Sequence, residues 1–580
     1  MTERLRIRGG AVYDPANGVD GEVRDVLVED GRIVAELPDD APALDARGLV
    51  VFPGGVDLHC HIAGQKVTAA RRLSPDRARA EGLPAPELED GAGRAGTGGT
   101  VPSSFATGYL YAGLGYTSAV DAAIAPLGAR HAHAELADVP ILDSGFLALL
   151  GNNALLLSLL ERGERERFTE AAGWIVRSAG ALGMKAVNPG GVAAWKAGGG
   201  NVAGLDETVA GTSLTPRAIV TALADAAAEL GLPHPLHLHC NNLGVAGNVE
   251  TTLATMAALE GRRAHFAHVQ FHAYGGEPGG LPACAGSRVA EYVNAHDNLS
   301  FDVGQVLFGP ATVMTADEPA GWLLHRLTGR RWVNVDVEAE TGCGIVPFEY
   351  RDRNRVHATQ WAAGLELFLL ARDPWRVVLS TDHPNGASFR SYPRLLRLLA
   401  DRAFRDEEIR RLPEGALEGS ALADGLDREY TLSEIAIVTR AAPARLAGLV
   451  RKGHLGPGAD ADVALYSRDG DVERMFASPR YVLKAGTVVL EDGELRRSVA
   501  GRTLRAAPAV DDGAGERLRA GFESRYSIRL ESYPVEARLL RGEPPELTPA
   551  PAGASRPRPP KGEGGDRGRV DRRGGRRSGA

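Results

Sequence analysis

Residues 49–61 read LVVFPGGVDLHCH, an apolar run interrupted by Pro53-Gly54-Gly55 and resumed to end on His59 and His61. Side chains of a strand alternate between faces, so the two imidazoles of this H-x-H point the same way. Further short apolar runs follow: SAVDAAI, PILDSGF, GMKAVN, PLHLHC, AHFAHVQF, NLSFDVG and RVVLSTD, separated by longer stretches, several of them rich in Ala and Leu. Strands alternating with helices predict a parallel sheet, and a (β/α)8 barrel of the TIM type over residues 53–440 closes one most economically. Polar residues at the C-terminal ends of barrel strands then share one mouth.

Several such residues carry chemistry. Alone, His59 and His61 read equally as metal ligands or as two polar strand-end side chains. Lys185 ends the run GMKAV, where a buried ammonium is costly unless paired or chemically altered; otherwise it snorkels to solvent. Addition of carbon dioxide would make its amine an anionic carbamate able to bridge two metal ions. In PLHLHCNN, His237 and His239 share a face, and His239 lies nearer the mouth. The segment AHFAHVQFHAYGG offers His265, His268 and, in the following loop, His272. In LSTDHPNG, Asp382 closes the apolar strand VVLS and is followed by His383, where a carboxylate can bind metal and exchange protons with water.

Outside the barrel, LRIRGGAVYDP and DVLVEDGRIVAE read as strands with a turn at Asp30-Gly31, and β character returns in ADVALYS and YVLKAGTVVL. Residues 1–52 and 441–505 are therefore expected to build one small β domain from both chain ends. Residues 506–550 form an extension without an assigned role, helical around GERLRAGFESRY.

With 580 residues, 44% hydrophobic and 24% charged, the chain has the composition of an ordinary globular protein of several domains. Residues 551–580 hold nine basic against three acidic side chains, and the remaining 57 basic and 71 acidic residues leave an acidic body. That balance argues against a nucleic-acid-binding core. The Pro-, Gly- and Arg-rich tail has too little apolar surface to order itself. Four separated cysteines, Cys60, Cys240, Cys284 and Cys343, exclude a disulfide framework and an iron–sulfur ligand set. No apolar stretch suits a membrane and MTERLRIRGG is no signal peptide, so a cytoplasmic protein is expected.

The order H-x-H, Lys, His, His, Asp at successive strand ends resembles the amidohydrolase superfamily. GGVDLHCHIAGQKVTAARR, TVPSSFATGYLYAGLGYT, MKAVNPGGV, HLHCNNLGVAGN, FAHVQFHAYGG and STDHPNG are similar to the A-subunit family of formylmethanofuran dehydrogenase and of the bacterial formyltransferase/hydrolase complex. The resemblance implies two zinc ions, one on His59, His61 and Asp382, the other on His239 and His268, bridged by carboxylated Lys185. Asp382 is then also the catalytic residue, and Asn241, Asn242, His272 and His383 are candidates for substrate binding. Asn241 and Asn242 stand where hydantoinase-like relatives carry an acidic residue. The implied reaction is reversible hydrolysis of N-formylmethanofuran to formate and methanofuran, within a complex containing B, C and D type subunits. The other readings are a stand-alone cyclic amidase of the dihydropyrimidinase type and a non-catalytic assembly subunit. Arg71 and Arg72, in the long segment between Gln65 and Thr107, read as contacts for an acidic coenzyme tail or as solvated loop charges.

Overall fold

The computed structural model describes residues 3–73, 82–335 except 84, 85, 90, 95 and 98, and 343–548. The expected disordered tail, 551–580, lies outside the described residues. Eight strands pair in chain order, all parallel: β1 (Gly55–Cys60), β2 (Tyr116–Ile124), β3 (Asp143–Leu149), β4 (Gly183–Val187), β5 (Leu236–His239), β6 (Ala264–Phe266), β7 (Leu299–Asp302) and β8 (Val377–Val378). The ring closes beyond β8, where Cys60 bridges His383 and the His61 amide donates to the His383 carbonyl at 2.7 Å. Every residue of β1 through β7 is buried, which is why these segments read as continuous apolar runs rather than alternating ones.

The two chain ends meet in a second sheet. Arg4–Asp14 pairs with Val19–Glu29, and Leu49–Pro53 joins Arg4–Asp14 to Val463–Ser467, Tyr481–Lys484 and Thr487–Glu491. Asp30 and Gly31 both have positive φ, 48° and 75°, as a two-residue hairpin turn requires. Ile7, Val26, Val28, Val51, Val463 and Leu483 form its apolar core.

A buried ionic knot couples this sheet to β3. The Lys484 ammonium lies 2.9 Å from Asp143 and 2.8 Å from Asp462, and Lys452 lies 2.6 Å from Asp462 and 2.8 Å from Asp460. Burial raises the carboxyl pKa values of Asp143 and Asp462, but the two ammonium groups outweigh it and hold both below the ordinary range. Their contribution is therefore fully present above the unfolded carboxyl pKa of about 4 and is lost as pH falls through the lower folded values. Asp462→Asn, which removes the carboxylate that both buried ammonium groups share, is expected to cost about 3 kcal/mol. Calorimetric melting from about pH 1.5 to pH 7 checks both: a steep acid loss below about pH 4 in the wild type, a flatter one in the variant.

Two features depart from the sequence reading. The alternation of strand and helix is interrupted after β7 by a three-stranded antiparallel sheet, Gly309–Thr315, Cys343–Tyr350 and Val333–Val335. Thr503–Leu504, within the stretch expected for the small β domain, pairs instead with β3, and in the extension the helix Ala514–Glu523 sets Phe522 against Trp174 and Tyr533. No helix among the described residues is long and apolar enough to cross a membrane.

Candidate metal centre

His59 and His61 leave the end of β1 on the face their spacing predicts. Both Nε2 atoms reach Asp382 Oδ1, at 3.1 and 3.0 Å. That oxygen is buried and has no hydrogen-bond partner, whereas Oδ2 accepts from Asn385 Nδ2 at 2.9 Å. Asp382 has φ 50° and stands four residues past β8, a turn conformation rather than the strand end expected. The Asp382 amide donates to Ser380 Oγ at 2.7 Å, and Ser380 Oγ donates to the His59 carbonyl at 2.7 Å, so the turn is tied to β1.

The ring orientations are set from below. His59 Nδ1 donates to Asp302 Oδ2 at 2.7 Å, which leaves the Nε2 lone pair facing Asp382 and, at 3.2 Å, Lys185 Nζ. Asp121 does the same for His61, with Oδ1 3.4 Å from Nδ1, while Oδ2 accepts the backbone amides of Ile62 and Ala63. Asp302 also accepts from His265 Nε2 at 3.2 Å and from the His268 amide at 2.7 Å. Burial raises the Asp302 carboxyl pKa, but His59 and His265 outweigh it, so the group is firmly ionised. Neither Asp302 nor Asp121 was among the residues expected from sequence. The signal for Asp302 was its place closing the strand NLSFD, the placement that singled out Asp382.

His237 and His239 share a face as expected but occupy different depths. His237 lies beneath the mouth: its Nε2 is 3.2 Å from His59 Nδ1, and its Nδ1 is 3.0 Å from Nε2 of His234, which donates through Nδ1 to the Leu446 carbonyl. His265 is also in this lower tier, accepting from Ser300 Oγ at 2.9 Å. His239 is in the upper tier with His268 and His272; each of the three offers a ring nitrogen within 4.8 Å of the others. Asp317, on the unexpected insertion, places Oδ2 3.2 Å from His239 Nε2.

Lys185 is 1% exposed, and burial lowers its pKa to about 8 although Asp382 and Asp302 pull the other way. A neutral amine is thus accessible near neutral pH. Burial holds His239, His268 and His272 well below the ordinary imidazole value, against the pull of Asp382 on the first two and of Asp317 on the third. Burial raises the Asp382 carboxyl pKa, but His59 and His268 keep it well below the carboxylate range.

The other candidates make the following contacts. Asn241 donates to Asn188 Oδ1 at 2.7 Å and to the Pro189 carbonyl at 3.1 Å, and Asn188 in turn donates to Asp317 Oδ1 at 2.9 Å. Asn242 adopts φ 64° and donates to the Ala203 carbonyl and Thr251 Oγ1. His383 accepts the Phe389 amide on Nδ1 at 3.2 Å, and burial lowers its pKa to about 3. Arg71 donates to the carbonyls of Pro102 and Ile62 instead of being a solvated loop charge, and Arg72 lies exposed on the same helix, Gln65–Leu73.

The residues present fit a divalent metal pair. Buried nitrogens of His268 and His272 and one oxygen of Asp382 lack partners, and two sets of three donors converge, His59/His61/Asp382 and His239/His268/His272. Donors rich in imidazole suit zinc. Asp302→Asn, which loosens the His59 tautomer, is expected to weaken divalent-cation binding by about 10- to 100-fold, read by competition with a chromophoric chelator.

Comparison with known proteins agrees with this geometry. The Amidohydrolase family model matches residues 43–490. Protein FwdA of Methanocaldococcus jannaschii is 42% identical over 91% of this chain and 96% of its own length. The A subunit of the formyltransferase/hydrolase complex Fhc of Methylorubrum extorquens is 43% identical over 91% of this chain and 96% of its own. The crystal structure of the formyltransferase/hydrolase complex FhcABCD from Methylorubrum extorquens, in complex with methylofuran, superposes with a TM-score of 0.85 at 41% identity, covering 93% of this chain and 97% of that one. A barrel with these ligand types at its strand ends, matched over its length by such relatives, places the chain in the amidohydrolase family, in the branch of FwdA and the Fhc A subunit.

Proposed function

We propose that the chain is the hydrolytic A subunit of a formyltransferase/hydrolase complex. It cleaves an N-formylated furan coenzyme of the methanofuran type to formate and the free amine, and runs the reverse when formate is supplied. Partner subunits of the B, C and D type and the coenzyme are its proposed companions. The observation that carries this reading is the convergence of His59, His61 and Asp382 on one side and His239, His268 and His272 on the other, with the buried Lys185 amine 3.2 Å from His59 Nε2. The 43% identity to the Fhc A subunit over nearly the whole chain directs the choice of substrate.

Zinc, which His59, His61, Asp382, His239, His268 and a carboxylated Lys185 would hold, would supply a water whose pKa is lowered to about 7 and an electrophile for the formamide carbonyl. Asp382 takes the proton of the attacking water and passes it to the departing amine nitrogen as the C–O bond forms and the C–N bond breaks. Asn385 fixes the carboxylate through Oδ2, so Oδ1 is the atom that moves the proton. Asp302 and Asp121 keep the His59 and His61 lone pairs directed at Asp382. Asn241 acts indirectly, through Asn188 and Asp317, on the position of His239.

The test is formate release by the zinc-loaded protein, purified with its partner subunits, from the synthetic N-formyl coenzyme. Formate in stoichiometric amount with free amine is expected. Absence of formate with zinc bound would refute the reading, and turnover of dihydrouracil by the chain alone would redirect it to a cyclic amidase.

A further inference from the structure

We propose that His272 is a third imidazole ligand of the second metal position, so that His239, His268 and His272 hold a cation without help from the Lys185 bridge. The inference rests on the two-metal reading above and assigns to His272 a role other than contact with substrate.

His272 is 1% exposed, and both of its ring nitrogens are buried without a hydrogen-bond partner. A neutral imidazole presents one N–H and one lone pair, and proteins rarely bury both unanswered. His268 Nδ1 is in the same condition. The ring centroids lie 4.6 Å apart for His239 and His268, 5.0 Å for His239 and His272, and 5.4 Å for His268 and His272. Ring nitrogens of the three lie within 4.8 Å of one another. Three imidazoles whose ring nitrogens come this close can share one cation, as three of the four donors such a site uses.

The chain is built to hold this trio. β6 stops at Phe266, His268 adopts φ 33°, and the single 3-10 turn Val269–His272 returns the chain so that the His268 and His272 rings stack 5.4 Å apart. The turn is fastened at three points: the His268 amide donates to Asp302 at 2.7 Å, Asn248 donates to the Phe271 carbonyl at 2.8 Å, and Thr252 donates to the His272 carbonyl at 2.8 Å. A loop histidine meant to follow a substrate has no need of such anchoring. His59, His61 and Asp382 include a carboxylate, whereas the second trio is of imidazoles alone, with the Asp317 carboxylate 3.2 Å from His239 Nε2.

The test uses the full chain carrying His61→Ala and Lys185→Ala, which disables the first ligand set and the bridge. Titrated with cobalt(II), this variant is expected to bind one ion per chain and to show three strongly shifted, exchangeable imidazole N–H resonances. Adding His272→Ala should weaken cobalt binding by at least about 100-fold and remove one resonance. Two shifted imidazole resonances in the parent variant would overturn the proposal, and that count stands even if the alanine variant fails to fold. Unchanged cobalt affinity in His272→Ala, or a parent variant that binds no cobalt although the wild type does, would overturn it as well. A wild-type chain that binds neither cobalt nor zinc would instead defeat the underlying metal reading.

Discussion

Asp382→Asn is expected to lower formate release by about 1,000-fold or more, the scale of a lost general base combined with a lost ligand. The amide has the carboxylate's shape, so packing is preserved and the loss is chemical. Asn385 Nδ2 donates to the side chain at Oδ2 from 2.9 Å, and in the variant only the amide oxygen can accept that hydrogen bond. The amide NH2 is thereby turned toward the Nε2 lone pairs of His59 and His61, at the position where Oδ1 now stands 3.1 and 3.0 Å away. A donor there competes with any cation for those lone pairs and cannot take a proton from water. Steady-state formate release, with zinc content measured on the same preparations, separates the two losses. Normal turnover in Asp382→Asn would remove Asp382 from the mechanism.

Lys185→Ala is expected to be the second severe variant, losing about 100- to 1,000-fold in turnover and part of its zinc. Lys185 is buried beside His59 with its pKa lowered to about 8 by burial, so an uncharged amine is available to attack carbon dioxide, forming a C–N bond and releasing one proton. The anion formed suits a site of imidazoles and cations better than an ammonium group does. Alanine leaves a space in which a small carboxylate can take the place of the carbamate. Millimolar acetate or propionate is expected to restore activity in part to Lys185→Ala and to leave the wild type unaffected. Because only the neutral amine reacts, activation of metal-free wild type by zinc and bicarbonate should rise with pH below about 8 and level off above it. Full activity of Lys185→Ala without added carboxylate would sink the bridging role.

Much of the fold is legible in the sequence because it depends on local periodicity. Apolar runs of strand length between helical stretches specify a parallel barrel, the alternation of side chains puts His59 and His61 on one face, and the turn chemistry of Asp30-Gly31 fixes a hairpin. The ligand types are equally legible: His, Lys and Asp at the ends of apolar runs stand out because such residues are costly at those places unless they serve one another. The pairing of the two chain ends follows from matching β character at both.

Other features are decided only when distant segments meet. Periodicity shows that His237 and His239 face the same way, but their depths depend on the register of β5 against β4, which pairs Lys185 with His237 and Val187 with His239. Asp302 becomes the support of His59 because closure of the ring leaves only β8 between β7 and β1, across a separation of 243 residues that no local pattern encodes. Asp317 reaches His239 from an insertion that reads in sequence like any other loop and strand. The acceptors of the Asn241 and Asn242 amides, Asn188 and Pro189 for one and Ala203 and Thr251 for the other, are brought up from elsewhere in the chain, and His272 looks like a loop histidine until both its nitrogens are found buried and unanswered. Sequence thus determined the kinds of donor and the scaffold that presents them, since both follow from neighbours along the chain. Which donors converge was left to the tertiary structure, because convergence is a matter of distances between strands.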